Sequence, residues 1–363
     1  MNAPNKTKVL IVDDSAVVRK YFTKLLDADP EIEVVGTAAD PYIARDKILE
    51  LNPDVLTLDI EMPRMDGLTF LRILQQHRPM RVVIVSSLTP EGSKIALDAL
   101  ASGAIDVIDK PVLPERLLAS VKAAATARLS NASNNSPAPA ARAPVSCPNA
   151  QFHSRQVVLI GASTGGTEAI RSVLTQLPSG LPPICVVQHI PRIFSRAFAE
   201  RLAQCCRFDV REAAEGERLR PGLALIAPGD YHMRMRLDQG GYRVHLDQSP
   251  PLHHTRPSVD HLFESAVPIA GSYAVVVLLT GMGRDGAIGM LKLRQAGAAT
   301  IAQDERSSVV YGMPKAAVDL GAAAQVLPLP QIPEAICRAL LHQHEAASRK
   351  AVDPSSRNCP VPS

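Results

Sequence analysis

Tryptophan is absent from this sequence, and aromatic residues make up only 4% of it. Apolar residues nevertheless account for 46% of the chain. The hydrophobic core therefore has to be built mainly from Val, Leu, Ile and Ala side chains. Such aliphatic cores are typical of parallel sheets covered by helices, so the composition favours an α/β protein over an all-β sandwich.

The chain also lacks a cysteine framework and a long hydrophobic run. Its six cysteines form no Cys-x-x-Cys pair and no zinc spacing, which indicates incidental thiols in a reducing compartment. No stretch approaches the roughly 18 apolar residues of a membrane span, and the run of four near the N-terminus is too short for a signal peptide. We therefore expect a cytoplasmic protein without membrane insertion.

Basic residues are not concentrated anywhere in the chain. The net charge is only +3, and the Lys and Arg residues are scattered, without interleaved aromatics or a recognised binding motif. No helix-turn-helix pattern is present. We therefore expect no nucleic-acid partner.

Two regions alternate short apolar runs with stretches of helical periodicity. The first contains five successive strand-then-helix patterns, beginning with "KVLIV", which predict a doubly wound parallel sheet. A segment rich in Ser, Asn, Ala and Pro follows, and its prolines block helix and sheet. The alternation then resumes with "VVLIG", "ICVVQH", "GLALIAPG" and "YAVVVLLTG". We predict two α/β domains joined by a flexible linker, with these bounds: 1–125, linker 126–155, 156–345 and a polar C-terminal tail, 346–363.

In the first domain, polar residues follow the predicted strands. Asp13 and Asp14 end the first strand, Asp59 ends the third, and Ser86 and Lys110 end the fourth and fifth. A single aspartate here is often a helix N-cap, but the carboxyl ends of parallel strands meet at one edge. Three carboxylates there would repel one another unless a hard cation such as Mg²⁺ joined them. Lys110 and Ser86 could then contact a phosphate.

The motifs "VDDS", "LDIEMPRMDG", "VSS" and "DKP" occur in the order found in response-regulator receiver domains, and residues 8–125 resemble that family. The resemblance implies a flavodoxin-like fold and phosphorylation of Asp59 by a histidine kinase. It also implies that Asp13, Asp14 and Asp59 hold Mg²⁺. Ser86 stands at the family's hydroxyl switch position, and Lys110 is the matching lysine.

The second domain opens with a glycine-rich turn, Gly161-Ala-Ser-Thr-Gly-Gly-Thr167. The turn lacks the lysine of a P-loop and does not match G-x-G-x-x-G, which excludes the two common phosphate-binding patterns. It does fit G-x-S-x-G, in which Ser163 is exposed on a tight strand-to-helix turn. A purely structural glycine-rich turn explains the motif alone equally well.

A nucleophilic serine needs a base and a group that orients the base. His189 ends the next predicted strand, and Asp285 lies in the loop "GMGRDG" after a later one. Taken singly, the histidine would be a structural residue and the aspartate a turn former. Convergence of all three at one sheet edge favours a Ser163–His189–Asp285 triad. This order differs from the Ser–Asp–His order of α/β-hydrolases.

The segment "RPSVDHLF" supplies a competing cluster of Ser258, Asp260 and His261. These residues are too close in sequence for the usual triad, and the proline before Ser258 suggests a turn or the start of a helix. We interpret the cluster as structural or pocket-lining. His253 and His254 have no Cys or carboxylate at a ligand spacing, so we expect no cofactor in this domain.

The combination of "IGASTGG", "QHIP", "HHTRPSVD" and "LTGMGRDG" resembles the catalytic domain of the chemotaxis protein-glutamate methylesterase family, CheB, over about residues 156–345. The resemblance implies a Rossmann-like hydrolase that cleaves glutamate γ-methyl esters on the cytoplasmic helices of methylated chemoreceptors and deamidates receptor glutamines. It implies Ser163 as nucleophile, His189 as base and Asp285 as its orienter. Thr164 and Met282 match residues that line the site, and the Met282 N–H is a candidate oxyanion donor.

The resemblance also implies regulation and partners. A chemotaxis histidine kinase would phosphorylate the receiver, which would otherwise pack over the catalytic edge and block access. The alternative is a two-component response regulator whose second domain only binds a protein and has no catalytic activity. That alternative requires the convergence of the three triad residues to be accidental.

Overall fold

The computed structural model describes residues 6–87, 90–129 and 152–352. The first part, which we call the N-terminal unit, alternates five strands with five helices. In chain order these are β1 (Thr7–Val12), α1 (Ala16–Leu26), β2 (Ile32–Ala38), α2 (Pro41–Leu51), β3 (Val55–Leu58), α3 (Gly67–His77), β4 (Arg81–Ser87), α4 (Pro90–Ala101), β5 (Asp106–Lys110) and α5 (Pro114–Thr126).

The sheet of the N-terminal unit is parallel throughout, with the strand order β2-β1-β3-β4-β5. This is the flavodoxin-like order, so the predicted fold is confirmed. Local sequence signals begin its helices. Asp40 accepts hydrogen bonds from the backbone N–H groups of Tyr42 and Ile43, and Pro41 occupies the first turn of α2.

The second part, which we call the C-terminal unit, is larger and also α/β. Its elements in chain order are β6 (Val157–Ala162), α6 (Gly166–Leu174), β7 (Ile184–Gln188), α7 (Arg192–Ala203), β8 (Asp209–Glu212), β9 (Leu223–Ile226), β10 (His232–Asp238), β11 (Gly241–Asp247), α8 (Val259–Ala266), β12 (Ala274–Leu278), α9 (Ala287–Gln295), β13 (Ala299–Gln303), α10 (Met313–Asp319), β14 (Gln325–Leu327) and α11 (Ile332–Val352). Short 3₁₀ helices precede β12 and α11.

Seven strands form a parallel sheet in the order β14-β13-β12-β6-β7-β9-β8, and β10 and β11 form a separate antiparallel hairpin. The chain leaves β6 for β7 on one side and later returns to β12 on its other side. The carboxyl ends of strands beside such a change of direction border a crevice where ligands bind in open α/β sheets. The topology therefore places a potential site at the ends of β6, β7 and β12.

The central strands of this sheet are hydrophobic along their whole length. Every residue of β6, β7 and β12 is buried, as expected for parallel strands covered by helices on both faces. Each fully buried Val, Leu or Ile contributes about 1.5–3 kcal/mol relative to an exposed one. The strand ends that carry the candidate site are thus anchored in the most strongly buried part of the unit.

Ordered structure reaches into both ends of the predicted linker, 126–155. Thr126 is the last residue of α5, and the Arg128 N–H donates to the Val309 carbonyl at 3.0 Å. At the other end, the His153 ring stacks on Tyr273 with centroids 4.5 Å apart. The rest of the predicted linker, 130–151, lies outside the described residues.

The predicted C-terminal tail, 346–363, begins inside a helix. α11 continues to Val352, and residues 353–363 lie outside the described part of the chain. Among the described residues, no helix combines the length and apolar character that crossing a bilayer requires.

The two units contact each other through α4 and α7. The Ser93 hydroxyl of α4 donates to the Ile193 carbonyl at 3.0 Å, and Arg201 of α7 pairs with Asp98 of α4 at 2.8 Å. The described contacts therefore set the position of the N-terminal unit against the carboxyl edge of the larger sheet.

Candidate active site

Ser163 follows β6 directly, on the turn that leads into α6. Gly165, two residues later, has φ = 75°, a left-handed conformation that favours glycine. The Ser163 N–H donates to the Thr280 carbonyl at 3.0 Å, which ties the turn to the loop after β12. The local sequence thus produces the tight strand-to-helix turn expected of G-x-S-x-G.

His189 lies one residue beyond β7 and contacts both other members of the predicted triad. Its Nδ1 lies 3.1 Å from Ser163 Oγ, and its Nε2 lies 2.7 Å from Asp285 Oδ2. Because an ionised carboxylate only accepts, Nε2 carries the proton and donates to Asp285, while Nδ1 accepts from the Ser163 hydroxyl. All three side chains are buried.

Three further donors hold the carboxylate of Asp285. The Ser258 hydroxyl donates to Oδ1 at 2.9 Å, the Asp260 N–H donates to Oδ1 at 3.0 Å, and the Val259 N–H donates to Oδ2 at 2.7 Å. Burial favours the neutral acid, but the hydrogen bond from His189 and the backbone donors outweigh it, so the pKa of Asp285 is held below its ordinary value. Asp285 is therefore a carboxylate at neutral pH.

The segment that holds Asp285 is the one interpreted from sequence as a competing cluster. Ser258 is the N-cap of α8, and its oxygen accepts from the His261 N–H. The helix start was predictable from Pro-Ser-Val-Asp before an apolar run. Its contact with Asp285 was missed, because nothing in the sequence says which loop the start of α8 faces.

Thr164 and Met282 lie beside the triad. Both line a cavity of about 200 Å³ together with Ser163, His189 and Asp285. The loop after β12 approaches the serine so closely that a Cβ on Gly281 would lie 2.7 Å from Ser163 Cβ. The residues predicted to line the site are therefore brought together with the triad.

The same cavity is closed in part by the N-terminal unit. Arg116, Ala119 and Ser120 of α5 line it opposite Ser163 and Met282. Arg116 and Ser120 are themselves fixed by Asp106, to which they donate at 3.1 and 2.6 Å. Residues of α5 therefore form part of the wall of the cavity that holds Ser163.

The acidic constellation of the N-terminal unit is also assembled as predicted from the strand ends. Lys110 Nζ lies 2.7 Å from Asp13 Oδ2 and 2.8 Å from Asp59 Oδ2. Burial raises the pKa of Asp59, against the opposing hydrogen bond and charge of Lys110. Ser86 is buried at the end of β4, where it pairs in register with Asp109 of β5.

The three aspartates fit a divalent cation. Asp13, Asp14 and Asp59 each offer a carboxylate oxygen, and these oxygens lie within 4.8 Å of one another. Asp14 is exposed while the other two are buried, so the group opens to solvent on one side. Such a one-sided set of hard oxygen donors is the kind that Mg²⁺ takes while keeping waters for a phosphate.

A histidine–aspartate pair, His253 and Asp260, lies next to Asp285 of the triad. His253 Nε2 is 3.7 Å from Asp260 Oδ2, and Asp260 Oδ1 accepts from the Gly289 N–H at 2.7 Å. Burial and the neighbouring charge of Asp285 raise the pKa of Asp260. Sequence spacing alone did not relate His253 to a carboxylate, because the contact depends on the turn that precedes α8.

Comparison with known proteins covers both units. The family model described as CheB methylesterase matches residues 158–336, and the response regulator receiver domain model matches residues 9–122. The chain is 50% identical over 342 residues to protein-glutamate methylesterase/protein-glutamine glutaminase 2 of Syntrophus aciditrophicus, covering 92% of this chain and 99% of that protein. It is also 50% identical over 354 residues to protein-glutamate methylesterase/protein-glutamine glutaminase of Chromohalobacter salexigens, and this match covers 95% of this chain and 98% of that protein.

A solved structure matches the C-terminal unit. The crystal structure of the Thermotoga maritima CheB methylesterase catalytic domain is 40% identical, with a TM-score of 0.50, and the match covers 50% of this chain and 97% of that one. The similarity to known proteins therefore runs through the receiver-like and the hydrolase-like parts alike.

Proposed function

The chain belongs to the CheB methylesterase family, and from that membership we propose that it is a phosphorylation-controlled protein-glutamate methylesterase. Its substrates are glutamate γ-methyl esters on the cytoplasmic helices of chemoreceptors, and receptor glutamines, which it deamidates. The hydrogen-bonded series Ser163–His189–Asp285 is the observation that carries this proposal. The alternative of a non-catalytic binding domain is not favoured, because the relatives are named as enzymes.

Acylation begins at Ser163. Its Oγ attacks the ester carbonyl carbon while His189 Nδ1 takes the hydroxyl proton. The imidazolium that forms is stabilised by the Asp285 carboxylate, to which Nε2–H already donates. When the tetrahedral intermediate collapses, Nδ1–H gives its proton to the departing methoxide oxygen, and methanol leaves. With a glutamine substrate, the same proton goes to the departing amide nitrogen, and ammonia leaves.

Deacylation repeats these steps with water. His189 Nδ1 takes a proton from water as its oxygen attacks the acyl carbon, and then returns the proton to Ser163 Oγ. Backbone N–H groups of the glycine-rich turns stabilise the oxyanion of both tetrahedral intermediates by hydrogen bonds, with the Met282 N–H as the proposed donor. The close packing of Gly281 against Ser163 supports this placement.

Control of the site belongs to the N-terminal unit. Asp59 is the proposed phosphoacceptor, a chemotaxis histidine kinase is the phosphodonor, and Asp13, Asp14 and Asp59 would hold Mg²⁺. The bound ion would supply positive charge to the phosphoryl oxygens. Lys110 and Ser86 then provide an ammonium and a hydroxyl for the same oxygens.

The position of α5 explains how phosphorylation would act. Its residues line the cavity that holds Ser163, so the unphosphorylated arrangement restricts access. Phosphorylation would stabilise an open arrangement of the two units more than the closed one, and so lower the population of the closed one.

The test is methanol release from methylated receptor, with and without a small-molecule phosphodonor. Ser163→Ala should abolish release and leave the circular dichroism spectrum unchanged, whereas the matched variant Ser172→Ala on α6 should behave as wild type. Labelling of Ser163 by a serine-directed reagent, detected by mass, gives a second readout. Normal methanol release from Ser163→Ala would show that the nucleophile is assigned wrongly.

A further inference from the structure

The hydroxyl of Ser258 contributes to the site through Asp285. Ser258 is fully buried, and its Oγ lies 2.9 Å from Asp285 Oδ1. Since the carboxylate can only accept, the serine O–H is the donor. Ser258 therefore places a directed donor on the oxygen of Asp285 that His189 does not use.

The backbone of Ser258 is fixed from the other side by His232 of β10. The Ser258 N–H donates to His232 Nδ1 at 3.2 Å, and His232 Nε2 lies 3.2 Å from the Pro250 carbonyl oxygen. A backbone N–H only donates and a carbonyl only accepts, so the imidazole has to be neutral with its proton on Nε2. His232 is fully buried as well, which leaves Ser258 little freedom to move.

A simple helix cap does not account for this geometry. As the N-cap of α8, Ser258 Oγ accepts from the His261 N–H at 3.5 Å, at the long limit for a hydrogen bond. The bond to Asp285 is shorter by 0.6 Å (3.5 minus 2.9). The shorter bond, and the one to a charged group, is the stronger of the two.

From these contacts we propose that Ser258 is a positioning residue for the hydrolytic reaction, which fixes the rotation of the Asp285 carboxylate and, through it, the orientation of His189. The inference rests on the proposed function. Without the hydroxyl, the Asp260 N–H is the one donor that Oδ1 keeps from the part of the chain that the structure describes. The carboxylate is then freer to turn, and the imidazole is less often aligned with Ser163.

The experiment compares Ser258→Ala with Ser258→Thr in the full chain, using methylated receptor and a phosphodonor. Ser258→Ala should lower kcat by about 10-fold to 100-fold, the effect of removing a hydrogen bond to a charged group, with KM unchanged. The acidic limb of the kcat profile should move to higher pH, because Asp285, with one donor fewer, attracts the imidazole proton more strongly. Ser258→Thr should restore both, and Ser258→Cys, a weaker donor of similar size, should be intermediate.

A second readout is independent of turnover. The His189 Nε2–H proton, observed by NMR and identified by its loss in His189→Gln, should exchange with water faster in Ser258→Ala than in wild type. Thermal unfolding of each variant corrects kcat for the folded fraction.

Several results would overturn the inference. The first is an unchanged kcat in Ser258→Ala. The second is a lower kcat that the folded fraction explains, with the acidic limb of the pH profile unmoved. The third is a rise in KM alone. If the Thr side chain does not fit, the Cys variant decides, and a kcat for it no higher than that of Ser258→Ala counts against the inference. Absence of methanol release from wild type would instead refute the proposed function, and the exchange rate of the His189 proton would still test the role of Ser258.

Discussion

At the residue scale, the chemistry of the site depends on which imidazole nitrogen of His189 carries the proton. Asp285 accepts from Nε2, which leaves Nδ1 unprotonated toward Ser163. Among the described residues, four donors reach the carboxylate, two on each oxygen. The carboxylate is thus ionised and held in one orientation, and it fixes the imidazole proton of His189 on Nε2.

Asp285→Asn tests this dependence. The amide N–H₂ group of Asn would face groups that are themselves donors. It would also permit the imidazole tautomer whose proton is on Nδ1, and a protonated Nδ1 cannot accept from the serine hydroxyl. We expect kcat to fall by a factor of about 10⁴, measured as methanol release by the phosphorylated protein. The fold, monitored by circular dichroism, should persist. A kcat within tenfold of wild type would mean that His189 is oriented by other groups.

Asp260 makes a second residue-scale prediction, about stability. Its pKa is raised by burial and by the charge of Asp285. The folded protein therefore binds a proton that the unfolded chain, with a pKa of about 3.9, has already lost. Stability falls as pH rises from about 4 through the raised value. Asp260→Asn keeps an acceptor for the Gly289 N–H but cannot ionise, so it does not suffer this loss. The free energy of unfolding of the variant, relative to that of wild type, should therefore rise by about 1–2 kcal/mol between pH 4 and pH 8.

The measurement is hydrogen exchange of the β6 amides, which reports the unfolding free energy of the C-terminal unit, at several pH values for both proteins. Glu200→Gln, an exposed carboxylate on α7, is the matched control and should follow wild type. A difference between Asp260→Asn and wild type that is the same at every pH would show that Asp260 ionises as readily in the folded protein as in the unfolded chain.

At the element scale, the sequence predicted the elements that carry long apolar runs and the side chains that follow them. β6, β7, β9 and β12 were recognised because all their residues are apolar or buried in runs. The five strands of the N-terminal unit were recognised from apolar runs as well, although β2 at the sheet edge is mostly half-buried. β8 and β14, at the edges of the larger sheet, are short and largely exposed. They lack the apolar run that would have revealed them.

The hairpin of β10 and β11 and the packing of α8 escaped prediction for a different reason. "HMRMRLD" alternates apolar and polar residues as a half-buried strand does, but its importance for the site lies in the contact of His232 with Ser258. The triad was predictable because the ends of parallel strands must converge. The support of Asp285 by α8 was not, because it depends on tertiary packing that no local pattern encodes.

The contact of α8 with β6 gives an element-scale prediction. A Cβ on Gly161 would lie 2.3 Å from Cγ1 of Val259, and the Val259 N–H donates to Asp285. Gly161→Ala should therefore push α8 away from Asp285, lowering stability by about 1–3 kcal/mol and kcat together. Adding Val259→Ala removes the clashing methyls and should recover part of both, measured by thermal unfolding and methanol release. Additive losses in the double variant would show that the two residues do not interact.

At the scale of the whole molecule, the two candidate sites are connected through β5 and α5. Lys110, which contacts Asp13 and Asp59, ends β5. α5 begins at Pro114 and contributes Arg116 and Ser120 to the cavity around Ser163. Lys110, in contact with Asp59, is thus only a few residues from Arg116, which lines the cavity around Ser163. The packing of α4 against α7 holds the two units in that position.

The pair of Asp98 and Arg201 allows this arrangement to be tested without altering either site. Asp98→Arg places two cations at the contact of α4 with α7, so the closed arrangement should become less populated. The unphosphorylated full chain should then release methanol about 3-fold to 10-fold faster, since an exposed pair is worth up to about 1 kcal/mol and like charges add repulsion. Combining it with Arg201→Asp restores an ion pair of opposite sense and should return activity to the wild-type level, whereas the C-terminal unit alone, from residue 152, sets the upper limit. If Asp98→Arg and the isolated unit are no more active than unphosphorylated wild type, the N-terminal unit does not inhibit the site by covering it.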